Sequence, residues 1–323
     1  MKKSSIIGAG LILAATIIWG VAFVAQTSAS DSVGAFTFNA ARSLIAAVLL
    51  TAIVAVKESA VKRRALNASQ QSGATYGNPE RIKRLKKSFI AGALGGAALF
   101  AAVNFQQFGI EKYPADTSSS GRAGFLTATY VVFVAAYVAI RHKKIHPFTA
   151  LSCVGCLSGM YLLCVHGGVK KIYLGDVLEI LGALCFALQI LIIDKFSDTD
   201  GVAFSCAQFW VVTILSVIGA AIFETVSFAA LKEAWLPIAY AGVMSSTVGY
   251  TFQVLGQKSV KPAVASVIMS LESVFAALAG WIILKETLSG IELCGCALVF
   301  LSVVVSQLAP SEERKTENET ERS

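Results

Sequence analysis

The chain has 323 residues, of which 55% are hydrophobic and 15% charged, with a net charge of +7 at neutral pH. Soluble domains carry about 25% charged residues, whereas the apolar residues here come in blocks of about 20, the length that crosses a bilayer. The basic residues lie between these blocks rather than on one face, which excludes a nucleic-acid-binding surface and indicates a polytopic membrane protein.

The apolar blocks predict an all-α membrane protein with ten transmembrane helices of about 19–23 residues each. The first block follows Met1-Lys2-Lys3 and is longer than the apolar core of a signal peptide, so we expect it to remain as the first helix. In chain order the predicted helices cover, within a few residues, 6–25, 34–56, 89–110, 119–140, 148–166, 174–194, 202–223, 234–255, 262–283 and 289–308.

The charges predict the orientation of these helices. Most of the 27 Lys and Arg residues fall in alternate connections, which predicts an integral, multi-pass protein of the plasma (inner) membrane with both termini cytoplasmic. Segment 57–88 is basic and contains Gly and Pro, so we predict a cytoplasmic loop at anionic lipid headgroups, with a specific partner site as the alternative. The charged tail 309–323 is predicted to be cytoplasmic and disordered, and the oligomeric state stays open.

The two halves of the chain resemble each other weakly, in an order that indicates a duplication. The spacing between matching residues changes only in the predicted connections. Because each unit holds five helices, 6–166 and 174–308 are predicted to be five-helix repeats inserted in opposite orientations, an architecture of transporters with a site between the halves. The matching pairs are Gly8 with Gly175, Gly34 with Gly201, Gln106 with Gln253, Gly109 with Gly256, and Tyr130-Val131-Val132-Phe133 with Glu272-Ser273-Val274-Phe275.

Glu272 is an acidic residue in a predicted transmembrane helix of mostly apolar residues. It lies about 15 Å into the ninth helix, at the bilayer midplane, where an ionised carboxylate costs at least about 2.5 kcal/mol without water or a partner. Three interpretations are open: proton coupling, binding of a substrate amine, and structural pairing with another helix. The repeat alignment places Tyr130 opposite Glu272 at the same depth.

Two glutamines and two arginines also lie inside predicted helices. Gln106 falls near the outer end of the third helix and Gln253 near the inner end of the eighth, where cavity lining and interhelical hydrogen bonding are equal alternatives. Arg42, about 12 Å into the second helix, is predicted mainly to anchor or join helices. Arg122 lies close enough to the outer boundary to snorkel, so both arginines are predicted to be structural.

Aromatic and small residues complete the pattern. The pairs Gly92 with Gly96 and Gly155 with Gly159 predict close helix crossings, which is an architectural role. Six aromatic residues are placed to wall a substrate pocket, with ordinary packing as the alternative for each: Trp19, Phe23, Phe105, Tyr130, Phe133 and Tyr250.

The sequence contains no constellation that indicates an enzyme. It has no P-loop for ATP, and its three histidines lie in connections or near helix ends without a zinc or nucleophile–base arrangement. Cys153 and Cys156 form a CxxC within an apolar helix, with no second pair. We therefore expect no catalytic residue, no metal and no cofactor.

Four stretches resemble the EamA-type transporters of the drug/metabolite transporter superfamily. They are WGVAFVAQ (19–26), FTFNAAR (36–42), SSSGRAGFLTATYVVFV (118–134) and LESVFAALAGWIILKE (271–286). The resemblance runs over 6–308, and the order of the motifs across both repeats carries it more than any single motif. The family often has Glu-Pro where this chain has Glu272-Ser273, so no proline is present to kink the ninth helix.

The resemblance implies two inverted five-helix repeats and a central cavity lined by helices 1, 3, 4, 6, 8 and 9. It also implies export or exchange of small metabolites such as amino acids. The predicted substrate-binding residues on those helices are Trp19, Gln106, Tyr130, Gln253 and Glu272.

We therefore predict a secondary transporter, or permease, for a small-molecule metabolite that works by alternating access. The alternative is a non-transporting membrane scaffold or regulator that acts through the basic segment 57–88.

Overall fold

A computed structural model describes residues 3–30, 32–72, 79–113, 119–142, 146–164, 172–284, 289–306 and 308, and all regular structure in these ranges is helical. The predicted tail 309–323 lies outside them. Two π-helical segments are present: Ala241–Gly249 joins α10 to α11, and Gly280–Leu284 extends α13. The α-helices are α1 Lys3–Ser30, α2 Ala35–Ser72, α3 Pro79–Glu111, α4 Ser119–Ala128, α5 Tyr130–His142, α6 Pro147–Cys164, α7 Leu174–Lys195, α8 Gly201–Phe223, α9 Phe228–Glu233, α10 Trp235–Tyr240, α11 Tyr250–Gly256, α12 Pro262–Met269, α13 Glu272–Ala279 and α14 Gly290–Ser306.

Within the described residues, seven helical segments are long and apolar enough to cross a membrane. Two further apolar helices, Pro147–Leu162 and Gly290–Ser306, are shorter. The prediction of an all-α membrane protein is confirmed, whereas the count of ten transmembrane helices stays a prediction. The seven segments are Lys3–Ser30, Ala35–Arg63, Glu80–Glu111, Arg122–Arg141, Leu174–Lys195, Gly201–Phe223 and Pro262–Ile283.

The segment 57–88 differs from the loop that its composition predicts. Helix α2 continues to Ser72 and α3 begins at Pro79, so the described parts of the segment are helical. Lys, Arg, Ala and Glu are strong helix formers, and Arg81 on α3 donates hydrogen bonds of 3.0 and 2.7 Å to Glu58 on α2. The loop prediction was wrong for 57–72 and 79–88. A basic composition indicates only that a segment lies outside the lipid, and such a segment can still form a helix in water.

The interior of the helix bundle contains many polar side chains beside its apolar core, and much of the surface is apolar. Gln107 and Gln189 are 0% exposed, whereas Ile214 and Phe300 are more than half exposed. An apolar surface is stable against lipid, whereas polar groups find hydrogen-bond partners mainly between the helices. The distribution of side chains is that of a protein whose solvent is a bilayer.

Glycines allow the helices to cross at close range. A Cβ atom at Gly92 would lie 2.3 Å from the carbonyl oxygen of Phe204, so α3 and α8 meet backbone to backbone. A Cβ atom at Gly159 on α6 would lie 2.8 Å from the carbonyl oxygen of Gly295 on α14. The architectural role predicted for the small-residue pairs is confirmed.

Two glycine contacts follow the predicted repeat. A Cβ atom at Gly8 would lie 2.8 Å from the Gly256 carbonyl oxygen, and one at Gly175 would lie 2.7 Å from the Gly109 carbonyl oxygen. The sequence alignment pairs Gly8 with Gly175 and Gly256 with Gly109. The contact between Gly8 and Gly256 therefore corresponds, in the alignment, to the contact between Gly175 and Gly109. These matched contacts support the two-repeat organisation, which stays a prediction.

Two membrane helices break at positions that the alignment also pairs. Helix α4 ends at Ala128 and α5 begins at Tyr130, whereas α12 ends at Met269 and α13 begins at Glu272. Tyr130 and Glu272 therefore each begin the second half of a broken helix. The backbone dihedrals of Ser270 and Leu271 stay in the right-handed helical region, so this second span continues through a tightened turn and still crosses as one segment.

Hydroxyl side chains form backward hydrogen bonds at both breaks. Thr129 donates its hydroxyl to the carbonyl oxygen of Leu126 at 2.5 Å, and Ser270 donates to that of Val267 at 2.6 Å. Such backward hydrogen bonds compete with the helical ladder and bend helices. The ninth predicted helix is thus interrupted at Ser270 although it has no proline after Glu272.

Candidate functional site

The helix bundle contains a partly open cavity, and about 460 Å³ of space in it and at its mouth is free of protein atoms. Its walls come from both halves of the chain: α1 to α5, α7, the first π-helical segment, and α11 to α13. That the lining residues bind a substrate stays a prediction, but the structure brings all five candidates to this one cavity: Trp19, Gln106, Tyr130, Gln253 and Glu272.

Glu272 and Tyr130 are neighbours in the cavity wall. They are 5% and 3% exposed, and the Tyr130 hydroxyl interacts with the Glu272 carboxyl group. The contact does not reach hydrogen-bond geometry, and within the described ranges neither Tyr130 Oη nor Glu272 Oε1 has a hydrogen-bond partner. Buried polar atoms are normally satisfied, and these two unsatisfied residues both line the cavity.

Arg42 also lines the cavity, which differs from a purely anchoring role. The side chain is 3% exposed, and its guanidinium lies 5.6 Å from the centre of the Phe38 ring. Among the residues that the structure describes, Arg42 Nε has no hydrogen-bond partner and the guanidinium forms no ion pair. A buried cation without a counter-charge is energetically costly.

The two predicted glutamines combine both of their alternative roles. Gln253 Nε2 donates to Gln189 Oε1 at 3.1 Å, and Gln189 Nε2 donates to Gln253 Oε1 at 3.3 Å and to Gln208 Oε1 at 3.1 Å. Gln106 Nε2 donates to Thr127 Oγ1 at 3.0 Å. Both glutamines therefore line the cavity and bond to another helix, which holds their amide groups in place.

Aromatic rings form one side of the cavity. The centroids of Trp19 and Tyr250 lie 4.9 Å apart with planes inclined by 53°. Trp19 Nε1 donates a 3.4 Å hydrogen bond to the carbonyl oxygen of Ser245, in the first π-helical segment. Phe23 completes this wall. Of the predicted aromatic set, two do not line the cavity, namely Phe105 and Phe133.

Arg122 does not reach the cavity. Its Nε and Nη2 donate to Asp176 on α7 at 2.5 and 2.6 Å. The Tyr113 hydroxyl donates to the same carboxylate at 3.0 Å, and the Tyr173 ring lies 5.0 Å from the guanidinium. Arg122 thus joins α4 to α7 through an ion pair with aromatic neighbours, instead of extending alone to the headgroups.

At the opposite end of the bundle, lysines of α2 and α3 contact the connection between α7 and α8. Lys57 pairs with Asp200, and Lys87 pairs with Asp198 at 2.6 Å. The hydrogen bond from Lys87 holds the pKa of Asp198 below its usual value. Burial alone would raise the pKa of Asp200, but hydrogen bonds from Lys57 and from the first backbone N–H groups of α8 outweigh it and lower this pKa.

Sequence reasoning missed Glu179, a second carboxylate inside the membrane region. It is 0% exposed and accepts a 2.8 Å hydrogen bond from Thr127 Oγ1. Because Thr127 lines the cavity, Glu179 lies directly behind the cavity wall. The criterion that selected Glu272, an acidic residue in an apolar helix, would also have selected Glu179, which was overlooked near the start of its helix.

Comparison with known proteins agrees with this architecture. The model of the EamA-like transporter family matches residues 6–165 and 173–307. A protein of Archaeoglobus fulgidus named "Uncharacterized transporter" is 26% identical over 302 residues, which cover 93% of this chain and 85% of that protein.

A solved structure titled "Crystal structure of protein" has a TM-score of 0.68 and 18% identity, and the match covers 95% of this chain and 99% of the other. At this identity the likeness shows a shared fold. Since the family model matches nearly the whole length in two consecutive ranges, the chain belongs to the EamA-like transporter family of integral, multi-pass membrane proteins.

Proposed function

We propose that the chain is a secondary transporter of small zwitterionic metabolites, amino acids among them, and that it exports or exchanges them through this cavity by alternating access. The observation that carries the proposal is the pair Arg42 and Glu272. Both line the cavity, they are 3% and 5% exposed, and within the described residues neither forms an ion pair. An ionised group in a low-dielectric site is strongly destabilised without a counter-charge.

A zwitterion supplies both missing counter-charges at once. Its carboxylate pairs with Arg42, and its ammonium group pairs with Glu272. Tyr250 also lines the cavity and is within electrostatic range of both Arg42 and Glu272. The tilted rings of Trp19 and Tyr250 suit the apolar part of the zwitterion.

Alternating access requires the two halves to move against each other. The matched glycine contacts and the paired helix breaks at Tyr130 and Glu272 support two inverted units of five helices. The distribution of Lys and Arg supports a plasma-membrane protein with both termini cytoplasmic, with the basic part of 57–88 at anionic headgroups. Labelling of Lys62→Cys from outside intact cells would contradict this orientation.

The proposal is tested by flux into proteoliposomes that contain the purified chain. A pool of free amino acids is offered beside two analogue pools, the amides that lack the carboxylate and the N-acetyl forms that lack the amine. We expect about tenfold or more preference for the free amino acids over each analogue pool, because each analogue leaves one buried charge unpaired.

Two variants test which cavity residue pairs with each charged group of the substrate. Arg42→Gln is expected to abolish the preference for carboxylate over amide, and Glu272→Gln the preference for free over acetylated amine. Arg63→Gln and Glu233→Gln, at exposed positions, serve as matched controls and should keep both preferences. Equal loss of both preferences in both variants would contradict the assignment, and absence of flux from the intact chain across all pools would favour the non-transporting scaffold.

A further inference from the structure

Glu179 is a buried carboxylate with half of its hydrogen-bonding capacity unused. It is 0% exposed. Its Oε2 accepts from Thr127 Oγ1 at 2.8 Å, whereas Oε1 has no hydrogen-bond partner in the described part of the chain. Oε1 is pressed against α3, since a Cβ atom at Gly109 would lie 2.7 Å from it. An ionised carboxylate enclosed in this way lacks the solvation that its charge requires.

The groups that face Glu179 do not supply a counter-charge. Tyr113 just after α3, Asp176 one turn earlier on α7, and Glu272 on α13 lie within electrostatic range, and none of them is cationic. From α4 come Thr127 and the cation Arg122, whose guanidinium donates to both carboxylate oxygens of Asp176. Ionising Glu179 therefore adds a negative charge beside two other carboxylates, which is costly in a low-dielectric interior.

Thr127 connects Glu179 to the cavity. Its hydroxyl oxygen accepts from Gln106 Nε2 at 3.0 Å and lies 2.8 Å from Glu179 Oε2. A hydroxyl both donates and accepts, so Thr127 donates to the ionised form of Glu179 and accepts from its protonated form. Thr127 lines the same cavity as Glu272.

We propose that Glu179 is a proton-binding site, which exchanges its proton with the cavity through Thr127. The proton leaves Glu179 Oε2 for Thr127 Oγ1, while the hydroxyl proton of Thr127 passes to water in the cavity. Release leaves Glu179 ionised and uptake reverses the same steps. The coupling of this proton to transport rests on the proposed function, whereas the proton site itself does not.

Infrared difference spectroscopy of the purified chain in lipid bilayers tests the site without any substrate. Spectra recorded across steps of pH separate the C=O band of a protonated carboxyl group from the bands of a carboxylate. We expect Glu179→Gln to remove one carboxylic-acid band that is present at neutral pH, and Glu233→Gln, an exposed acidic position on α9, to leave it. Superimposable spectra of the intact chain and Glu179→Gln would overturn the proposal.

Thr127→Val tests the path. It removes the hydroxyl at nearly constant volume, so the band of Glu179 should remain while its shift on transfer to D₂O becomes slower. Exchange as fast as in the intact chain would overturn the role of Thr127.

The flux assay then separates this proposal from the proposed function. With the amino-acid pool, Glu179→Gln should lose the response of flux to an imposed proton gradient, while Glu233→Gln keeps it. An unchanged response in Glu179→Gln would overturn the coupling. If the Glu179 band is present and no pool is transported, the proposed function fails and the proton site stands.

Discussion

Replacing Asp176 by asparagine tests how strongly charge joins α4 to α7. The change keeps the size of the side chain and removes its charge, so the Arg122 guanidinium loses its carboxylate. Side-chain exposure is 8% for Asp176 and 17% for Arg122, so neighbouring side chains cover the pair closely although it lies near the protein surface. Breaking a buried ion pair from one side costs much more than the pair contributes, because a buried charge is left behind.

The magnitude follows from the contacts. Asp176 accepts hydrogen bonds from Arg122 Nε and Nη2 at 2.5 and 2.6 Å, from the Tyr113 hydroxyl at 3.0 Å and from the Tyr173 backbone N–H at 2.9 Å. One-sided removal of a buried pair costs about 3–5 kcal/mol. Since this pair lies at a helix end with some solvent access, we expect Asp176→Asn to lower the free energy of unfolding by about 3 kcal/mol.

The measurement is denaturant unfolding in mild detergent, followed by tryptophan fluorescence, on a double-mutant cycle with Arg122→Gln. We expect the double variant to be more stable than the sum of the single changes by about 1 kcal/mol or more. Asp198→Asn is the matched control: Asp198 and Lys87 are 63% and 50% exposed, so its cost should stay below about 1 kcal/mol. Additivity within about 0.5 kcal/mol would refute the reasoning.

Two further predictions use the same unfolding assay. Gly92→Ala places a Cβ atom 2.3 Å from the Phe204 carbonyl oxygen and should cost about 1–3 kcal/mol, whereas Gly10→Ala, with nothing within 4 Å of the new atom, should cost nothing; equal effects would contradict the close crossing. The pKa of Asp200 lies below its usual value of 3.8, because hydrogen bonds from Lys57 and the α8 backbone outweigh burial. Its stabilising contribution is therefore complete above pH 3.8 and is lost as the pH falls through the lowered pKa. Asp200→Asn should be less stable than the intact chain at neutral pH and lose less stability on acidification, and parallel pH curves would contradict this.

The sequence predicts membrane helices well where lipid sets their length. Helix α8 runs Gly201–Phe223 against a prediction of 202–223, because the bilayer thickness limits the apolar run. The prediction fails where a helix leaves the lipid: α2 was expected to end at 56 and continues to Ser72. Hydropathy marks the edge of the bilayer, whereas a helix ends where its backbone hydrogen bonding ends.

Part of the candidate site could be predicted from the sequence, because polar residues are rare in apolar helices. That criterion brought Glu272, Gln106 and Arg42 forward, and all three line the cavity. It did not predict the helix breaks at Thr129 and Ser270, because serine and threonine also make backward hydrogen bonds in unbroken helices. The surroundings of Arg42 could not be predicted either, because its neighbours are brought together by the tertiary structure.

The ion pairs between the two family-matched ranges, 6–165 and 173–307, have a consistent polarity. In the described part of the chain, each ion pair that joins the two ranges takes its cation from the first and its anion from the second. Such asymmetry favours contact between unlike halves and opposes contact between like ones, which matters for units similar enough to pair with themselves. The pairs are Lys57–Asp200, Lys87–Asp198 and Arg122–Asp176.

The charged residues of the cavity wall are divided between the two ranges in the same way, with the cation in the first and the anion in the second. Arg42 belongs to the first range and Glu272 to the second. Under the proposed function, a bound zwitterion therefore pairs its carboxylate with one half and its amine with the other, and bridges the two parts that alternating access moves. A ligand with one charge would pair with one half alone. Under the proposed function, the charge difference that joins the halves therefore also makes their movement depend on a ligand with both charges.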